Sequence, residues 1–210
     1  MGTAPSAAHT APAGAATDFR VRLLGGLAAS IATRGYRDTT VADIVRNAKT
    51  SKRTFYDRFA TKEECFIELL RTNNEALIAR IRGNVDPHAE WDAQIRCAVE
   101  AYVAHIDSNR PITLSWIREA PALGTAALRL HRVAMEHLTA MVVDITGNPG
   151  FQRVGLPPVS PALALILLGG LRELTALIVE DDRDIDELMA PAVTAATALM
   201  SGPSTQHQTR

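Results

Sequence analysis

The chain has 210 residues, of which 47% are hydrophobic, and its net charge at pH 7 is −1. This length allows one large domain or two small ones, and the near-neutral charge excludes a protein that is basic throughout. Only 5% of the residues are aromatic, whereas Ala, Leu, Arg and Glu are abundant, which favours helices over a β-sandwich. We therefore expect an all-α fold.

The first segment, residues 1–16, is rich in small residues and lacks the basic start and Leu-rich core of a signal peptide. We expect a disordered tail here, and a cytoplasmic protein. Cys65 and Cys97 stand alone in the sequence, so they indicate neither a disulfide framework nor a zinc site. The sequence predicts no metal and no cofactor.

A long helix follows the predicted tail. Leu23, Leu27 and Ile31 recur at helical spacing and share one face. Gly35 supplies a C-terminal stop, because glycine readily adopts the left-handed conformation in which many helices end.

Two short helices are predicted next. Thr40 and Asp43 form a variant capping box that opens the first of them. Ser51 follows after a tight turn and caps the second, in which Phe55 and Phe59 form an apolar pair that docks on the preceding helices. Two short helices joined in this way predict a helix-turn-helix over residues 40–59.

Positive charge is concentrated around these helices. Residues 20–62 contain ten basic and three acidic residues, so this segment carries +7 and the rest of the chain −8. Such segregation is typical of a DNA-contacting module joined to an acidic domain with another role. The alternative is a solvated helical surface on which the charges cluster by chance.

The stretch GYRDTTVADIVRNAKTSKRTFYDRFATKEECF resembles the signature of the TetR family of one-component transcriptional regulators. The matching elements are Gly35-Tyr36, Thr39-Thr40 with Ile44, Ser51, Thr54-Phe55-Tyr56, Phe59 and Thr61-Lys62-Glu63. The resemblance implies an N-terminal three-helix DNA-binding domain, residues 17–77, and a C-terminal helical ligand-binding and dimerisation domain, residues 78–210.

The resemblance also implies roles for individual residues. Thr40, Tyr56 and Lys62 would contact phosphate, whereas Lys52, Arg53, Thr54 and Asp57 would reach base edges. This division agrees with base chemistry, because Lys and Arg donate to guanine and Asp accepts from cytosine. Asp57 has the alternative of an ion pair with Arg53 or Arg58. The full predicted DNA-binding set is Thr40, Thr50, Ser51, Lys52, Arg53, Thr54, Tyr56, Asp57 and Lys62.

One departure from the family signature is Lys49, which stands where the family usually turns on glycine. We expect Lys49 to take a positive φ, at a cost of about 1 kcal/mol, unless the turn is built differently.

The helix predicted over residues 161–180 is apolar around nearly its whole circumference. Arg172 and Glu173 lie near its middle and argue against a membrane span. Such a helix needs burial on every side, so we expect it to form an intermolecular four-helix bundle with residues 191–200 of a homodimer. The alternative is a core helix of a monomer. Residues 146–160 form a long predicted loop, which suggests a lid or an arm between subunits.

The family resemblance implies a small-molecule effector held among the middle helices. Each candidate has an alternative role as ordinary core, a satisfied histidine or a solvated ion pair. The acidity of this domain favours a neutral or cationic effector. The candidate effector-binding residues are Trp91, His105, Trp116, Arg118, Glu119, Met135 and Met141.

Together these patterns predict a sequence-specific repressor that a small molecule releases from a palindromic operator in double-stranded DNA. One alternative is a regulator that responds to a protein partner or acts as an activator. Another is a helical-bundle enzyme, but the chain contains no E-x-x-H, G-x-x-x-x-G-K-[ST], G-x-S-x-G or H-E-x-x-H motif. We therefore predict that the protein is not an enzyme.

Overall fold

The computed structural model describes residues 13–201, which form helices and connecting turns with no strand among them. The all-α prediction is confirmed. Two short 3-10 turns, Ala120–Leu123 and Ile185–Leu188, lie between α-helices. The α-helices are α1 (Ala13–Arg34), α2 (Val41–Asn47), α3 (Lys52–Tyr56), α4 (Lys62–Asn84), α5 (Trp91–Ser108), α6 (Arg110–Arg118), α7 (Thr125–Thr146), α8 (Pro149–Gln152), α9 (Pro161–Glu180) and α10 (Met189–Met200).

The predicted disordered tail, residues 1–16, overlaps the described residues only at positions 13–16. Residues 1–12 lie outside the described residues. Residues 13–16 already belong to α1, because three of these four residues are alanine, the strongest helix former.

The chain divides into two compact units after Leu69. The division falls inside α4, which contributes residues to both units. The boundary expected from the sequence, between residues 77 and 78, lies in the same helix. A continuous helix has no Pro-rich or Gly-rich linker, so composition does not mark the change of unit.

The core of the first unit confirms the predicted apolar pattern. Leu23, Leu27 and Ile31 of α1 are buried, as are Phe55 and Phe59. The Phe55 and Phe59 rings lie 5.8 Å apart between centroids. Burial of these side chains fixes α1, α2 and α3 against one another and leaves the opposite face of α3 exposed.

Gly26 allows α1 and α2 to approach closely. A Cβ added at this position would lie 2.5 Å from the carbonyl oxygen of Ile44 and 2.9 Å from the backbone nitrogen of Ala48. Because both neighbours are backbone atoms, a side chain at Gly26 would force the helices apart.

The second unit packs α5 between α4 and the C-terminal helices. Ile95 and Val99 of α5 join a buried cluster with Leu167 and Ile178 of α9. A smaller cluster links α4, α5 and α7 around Met141. Helix α9 also packs against α6, α7 and α10.

The segment that suggested a lid or an arm between subunits, residues 146–160, is anchored to its own unit. It contains the short helix α8, whose Phe151 is fully buried. The backbone nitrogen of Val159 donates to Thr146 Oγ1 at 3.0 Å. A Cβ at Gly150 would lie 2.1 Å from the carbonyl oxygen of Ala89, so the backbone here is tightly packed. Burial of Phe151 explains why this segment is held in place.

Helix α9 has the length and hydropathy of a membrane span, the one such helix between residues 13 and 201. Its two central charged residues nevertheless have protein partners. Arg172 Nη2 donates to the carbonyl oxygen of Ile117, and Glu173 pairs with Arg118. These contacts tie α9 to α6 of the same unit.

Candidate DNA-binding surface and C-terminal cavity

Helix α2 begins with the predicted capping box. The Thr40 hydroxyl accepts from the Asp43 backbone nitrogen, and the Asp43 carboxylate accepts from the Thr40 backbone nitrogen at 3.0 Å. The Thr40 hydroxyl also donates to that carboxylate at 2.6 Å. The hydrogen bonds from Thr40, with Arg46 and Arg34 nearby, lower the pKa of Asp43 to about 2. In this conformation Thr40 directs both of its donors at Asp43 and not at a phosphate.

The turn after α2 is a Schellman motif. The Lys49 backbone nitrogen donates to the carbonyl oxygen of Arg46, and that of Thr50 donates to Val45. Lys49 has a φ of 50°, so the expected positive φ is confirmed. Thr50 is half-buried in this turn.

Arg22 of α1 stabilises the same turn from the outside, which the sequence analysis did not foresee. Its Nη2 donates to the carbonyl oxygens of Ala48 at 2.7 Å and Lys49 at 2.6 Å. These carbonyls lie at the negative end of the α2 dipole, where a guanidinium is favourable.

Helix α3 exposes the predicted recognition residues. Ser51 caps the helix by accepting from the Thr54 backbone nitrogen at 3.1 Å, and Thr54 is half-buried beside it. Lys52, Arg53 and Asp57 are exposed, and Tyr56 is 58% exposed. Their positions opposite Phe55 agree with the predicted helical face.

The side chains of Lys52, Arg53 and Asp57 have no hydrogen bond or ion pair with any residue between 13 and 201. The alternative ion pair of Asp57 with Arg53 or Arg58 is therefore absent from this part of the chain. By contrast, Arg34 and Arg46 both pair with Asp43. The exposed face of α3 therefore carries charged side chains that have no partner among the described residues.

Lys62 lies in a different environment from the one expected. Its Nζ donates to the carbonyl oxygens of Tyr36 at 3.1 Å, Thr39 at 2.9 Å and Arg37 at 3.4 Å. The ammonium also lies 4.4 Å from the centroid of the Tyr36 ring. Three carbonyls occupy the three donors of this ammonium, so Lys62 holds the segment between α1 and α2 instead of presenting a free donor to DNA.

The second unit contains a cavity of about 140 Å³ between α4, α5, α6, α7, α9 and α10. Leucine, isoleucine, valine and methionine side chains form most of its wall. An adjoining cavity of about 200 Å³ lies beside α6 and the start of α7. Trp116 and Arg172 line both cavities and therefore lie between them.

We call the cavity of about 140 Å³ the inner cavity. Four of the seven predicted effector-binding residues line it: His105, Trp116, Met135 and Met141. His105 Nε2 lies 3.2 Å from Asn73 Oδ1, and burial lowers the pKa of this histidine. His105 is therefore a neutral hydrogen-bonding group in the wall near pH 7.

The other three candidates are not in that wall. Trp91 packs edge-on against Phe151, with ring centroids 6.2 Å apart. Arg118 pairs with Glu173 and Glu180, which raises the pKa of the guanidinium. These two residues join helices to one another instead of facing the cavity.

Glu119, the last of the three, follows α6 and is also absent from the wall. Sequence periodicity could not distinguish Trp91, Arg118 and Glu119 from the residues that line the cavity. Periodicity shows which residues share a helical face, but not whether that face packs on another helix or lines a cavity.

Sequence reasoning missed five polar residues that do line the cavity, namely Asn73, Asn74, Tyr102, Thr113 and Arg172. The Tyr102 hydroxyl is 2.8 Å from Thr175 Oγ1. Arg172 was conspicuous in the sequence as a charge within an apolar helix, and that signal could have placed it in the site. No acidic side chain lines the inner cavity, which opposes the expectation of a cationic effector.

Helices α9 and α10 expose an apolar surface to solvent. On α9, Leu165 is 49%, Ile166 64% and Leu177 46% exposed. Small residues such as Ala195 and Ala198 are exposed on α10. A surface of this kind is typical of a protein interface.

Residues 23–69 match the sequence profile of the family described as "Bacterial regulatory proteins, tetR family". The chain is also similar to the HTH-type transcriptional repressor KstR2 of Mycobacterium tuberculosis, with 44% identity over 77 residues. That similarity covers 37% of this chain and 38% of the length of KstR2.

The whole fold resembles solved structures of regulators. A tetR-family transcriptional regulator from Streptomyces coelicolor has a TM-score of 0.72 at 16% identity, over 87% of this chain and 80% of that one. The fatty acid degradation regulator FadR from Bacillus halodurans has a TM-score of 0.69 at 16% identity, over 89% and 96%. FadR from Bacillus subtilis, solved in complex with stearoyl-CoA, has a TM-score of 0.65 at 19% identity, over 87% and 98%.

Proposed function

We propose that this chain is a TetR-family protein, a sequence-specific, DNA-binding transcriptional regulator without catalytic activity. Its operator would be double-stranded DNA, and we propose that it acts in the cytoplasm. The observation that carries this proposal is the exposed face of α3, where Lys52 and Arg53 have no partner among residues 13–201.

The proposed docking assigns base reading to Lys52, Arg53 and Thr54, with Asp57 as an acceptor for cytosine. Tyr56 and the start of α3 at Ser51 are assigned to phosphates. The 58% exposure of Tyr56 supports this role, because an exposed phenol can reach a phosphate. The remaining predicted contacts, Thr40, Thr50 and Lys62, are engaged within the protein, so we assign them to supporting the helices that dock.

The experiment that tests this function is selection of bound sequences from a random pool of DNA duplexes by the full-length protein. We expect enrichment of a near-palindromic site, because two α3 helices of a dimer would read equivalent half-sites. Absence of any enriched sequence at low salt would contradict the proposal.

We assign dimerisation to α9 and α10. The exposed apolar side chains on α9 favour this surface, and the exposed small residues of α10 allow the helices of two protomers to approach. Both helices come from the same unit, so a four-helix bundle needs no further element.

The dimer is tested with Ile166→Glu, because Ile166 is 64% exposed and its replacement leaves the core intact. We expect this variant to sediment as a folded monomer with weakened DNA binding. Leu128→Glu is the matched control, since Leu128 is 54% exposed but lies on α7. Dimerisation lost equally in both variants, or in neither, would contradict the assignment.

We further propose that the protein represses transcription when it is bound to its operator. A small molecule held in the inner cavity would release it from the DNA. The repressor name of KstR2 and the stearoyl-CoA complex of Bacillus subtilis FadR support this assignment. His105, Trp116, Met135 and Met141 are the proposed contacts. A ligand that binds one conformation better than another shifts DNA affinity by that difference in binding.

Release is tested by rescreening the selected DNA site against a metabolite library, with fluorescence anisotropy of the labelled duplex as the readout. We expect at least one compound to lower the affinity for DNA. A protein whose affinity changes only with a protein partner, or rises with ligand, would contradict release by a small molecule.

A further inference from the structure

Two side chains that line the inner cavity each have a buried polar atom without a hydrogen-bond partner among residues 13–201. Thr113, 6% exposed, has a hydroxyl with no hydrogen bond among residues 13–201. The same holds for Arg172 Nε, although Arg172 Nη2 donates to the carbonyl oxygen of Ile117 at 3.0 Å. Both groups belong to side chains that line the cavity. Buried donors are nearly always satisfied in folded proteins, so these two point to a ligand that accepts hydrogen bonds.

Charge narrows the choice of acceptor. Arg172 forms no ion pair with any described carboxylate, and no Asp or Glu lines the cavity. The other polar groups of the wall are neutral: His105 lies beside Asn73, Tyr102 lies beside Thr175, and Asn74 and the Trp116 indole complete the set. Burial lowers the pKa of Arg172, and the field of Glu173 offsets this effect only in part. A ligand with a negative charge would offset the effect of burial further.

We infer that the inner cavity binds a compact apolar carboxylate, whose oxygens accept from Arg172 Nε and the Thr113 hydroxyl. The apolar body of the ligand lies against the aliphatic wall, including Leu138 and Met141. This inference rests on the proposed function for its biological meaning, because it names the chemical class of the effector.

The dimensions of the site set the size of the ligand. An apolar cavity of about 150 Å³ holds a molecule such as benzene, and the inner cavity has about 140 Å³. One ring or a medium-length alkyl chain therefore fits within it. A longer ligand would extend past Trp116 and Arg172 into the adjoining cavity.

The inference is tested by calorimetric titration of the full-length protein with matched probes. Octanoate, octan-1-ol and octylamine share one chain and differ in the head group, as do cyclohexanecarboxylate and the corresponding alcohol and amine. We expect each carboxylate to bind about tenfold or more tightly than its alcohol and amine. Equal or tighter binding of the alcohol or amine would overturn the inference, as would failure of both carboxylates to bind at millimolar concentration.

Two variants test the anchors. Arg172→Met should weaken octanoate binding about tenfold and leave octan-1-ol binding unchanged within a factor of about two. Thr113→Val should also weaken octanoate binding, yet raise the melting temperature of the ligand-free protein, because it removes a buried hydroxyl that has no partner. Arg132→Met removes an exposed arginine from α7 and is the control. Unchanged octanoate binding in both Arg172→Met and Thr113→Val would overturn the inference.

The outcomes separate this inference from the proposed function. If octanoate binds through Arg172 but no carboxylate changes the affinity for DNA, the inference that the cavity binds carboxylates is supported. The proposal that this class of ligand releases the protein from DNA is then contradicted. If an alcohol or amine binds more tightly and releases DNA, regulation by a small molecule stands and the carboxylate inference fails.

Discussion

Replacing Lys49 with glycine is expected to stabilise the first unit while weakening the attraction for DNA that we propose for it. Lys49 occupies the position after α2 where φ is 50°. The Arg22 guanidinium binds the backbone carbonyl of Lys49 and not its side chain, so this contact survives the substitution.

The magnitude follows from two opposing effects on the free energy of unfolding. Relief of the left-handed conformation in a non-glycine residue contributes about 1 to 2 kcal/mol. Glycine also makes the unfolded chain more flexible, which costs about 0.4 to 1 kcal/mol. The net gain lies between about 0 and 1.6 kcal/mol, and its midpoint of about 0.8 kcal/mol is equivalent to about 2 to 3 °C in melting temperature for a chain of this size.

Thermal and urea unfolding measure this change, and Lys49→Ala is the matched control. Both variants lose the same positive charge, but alanine retains the Cβ that disfavours the left-handed conformation. Stability should rise with glycine and not with alanine, whereas DNA affinity at low salt should fall in both. Equal stabilities of the two variants would refute the explanation of strain at this turn.

Three further predictions concern the same unit. Gly26→Ala should lower the free energy of unfolding by about 1 to 3 kcal/mol, measured by urea denaturation, because the new Cβ would meet the backbone of α2; a neutral effect would contradict the close approach. The pKa of Asp43 falls from its ordinary 3.8 to about 2 on folding, so its stabilisation is complete above about pH 4 and is lost as pH falls towards 2. Asp43→Asn should flatten that part of a plot of stability against pH, and an unchanged slope would contradict the capping box. Burial raises the pKa of Cys65 to about 12, so this thiol should resist iodoacetamide at pH 8 until the protein unfolds, as mass spectrometry would show; rapid labelling in the folded state would contradict its burial.

Local signals in the sequence were sufficient for the helix-turn-helix. The caps at Thr40 and Ser51, and the positive φ of Lys49, depend on atoms within a few residues of each other. Amphipathic spacing likewise placed Phe55 in the core, because one helical face must be buried.

Contacts between distant residues were beyond such reasoning. Lys62 reaches carbonyls 23 to 26 residues earlier, and no spacing rule specifies that pairing. Arg118 and Trp116 are close in sequence, yet one pairs with α9 and the other lines the cavity. Composition suggested an acidic domain with a neutral or cationic effector. The charge of the cavity wall depends instead on which few side chains face inward, and there Arg172 is the charged group.

The most direct test of the central claim is a comparison of the base preferences of the wild-type protein and Arg53→Ala, measured with all single substitutions of the selected DNA site. Arg132→Ala, which removes an exposed arginine from α7, is the control. The account predicts that Arg53→Ala loses discrimination at one pair of symmetry-related bases, by about 1 to 3 kcal/mol, while the control retains it. Unchanged base preferences in Arg53→Ala would contradict the assignment of α3 as the helix that reads DNA.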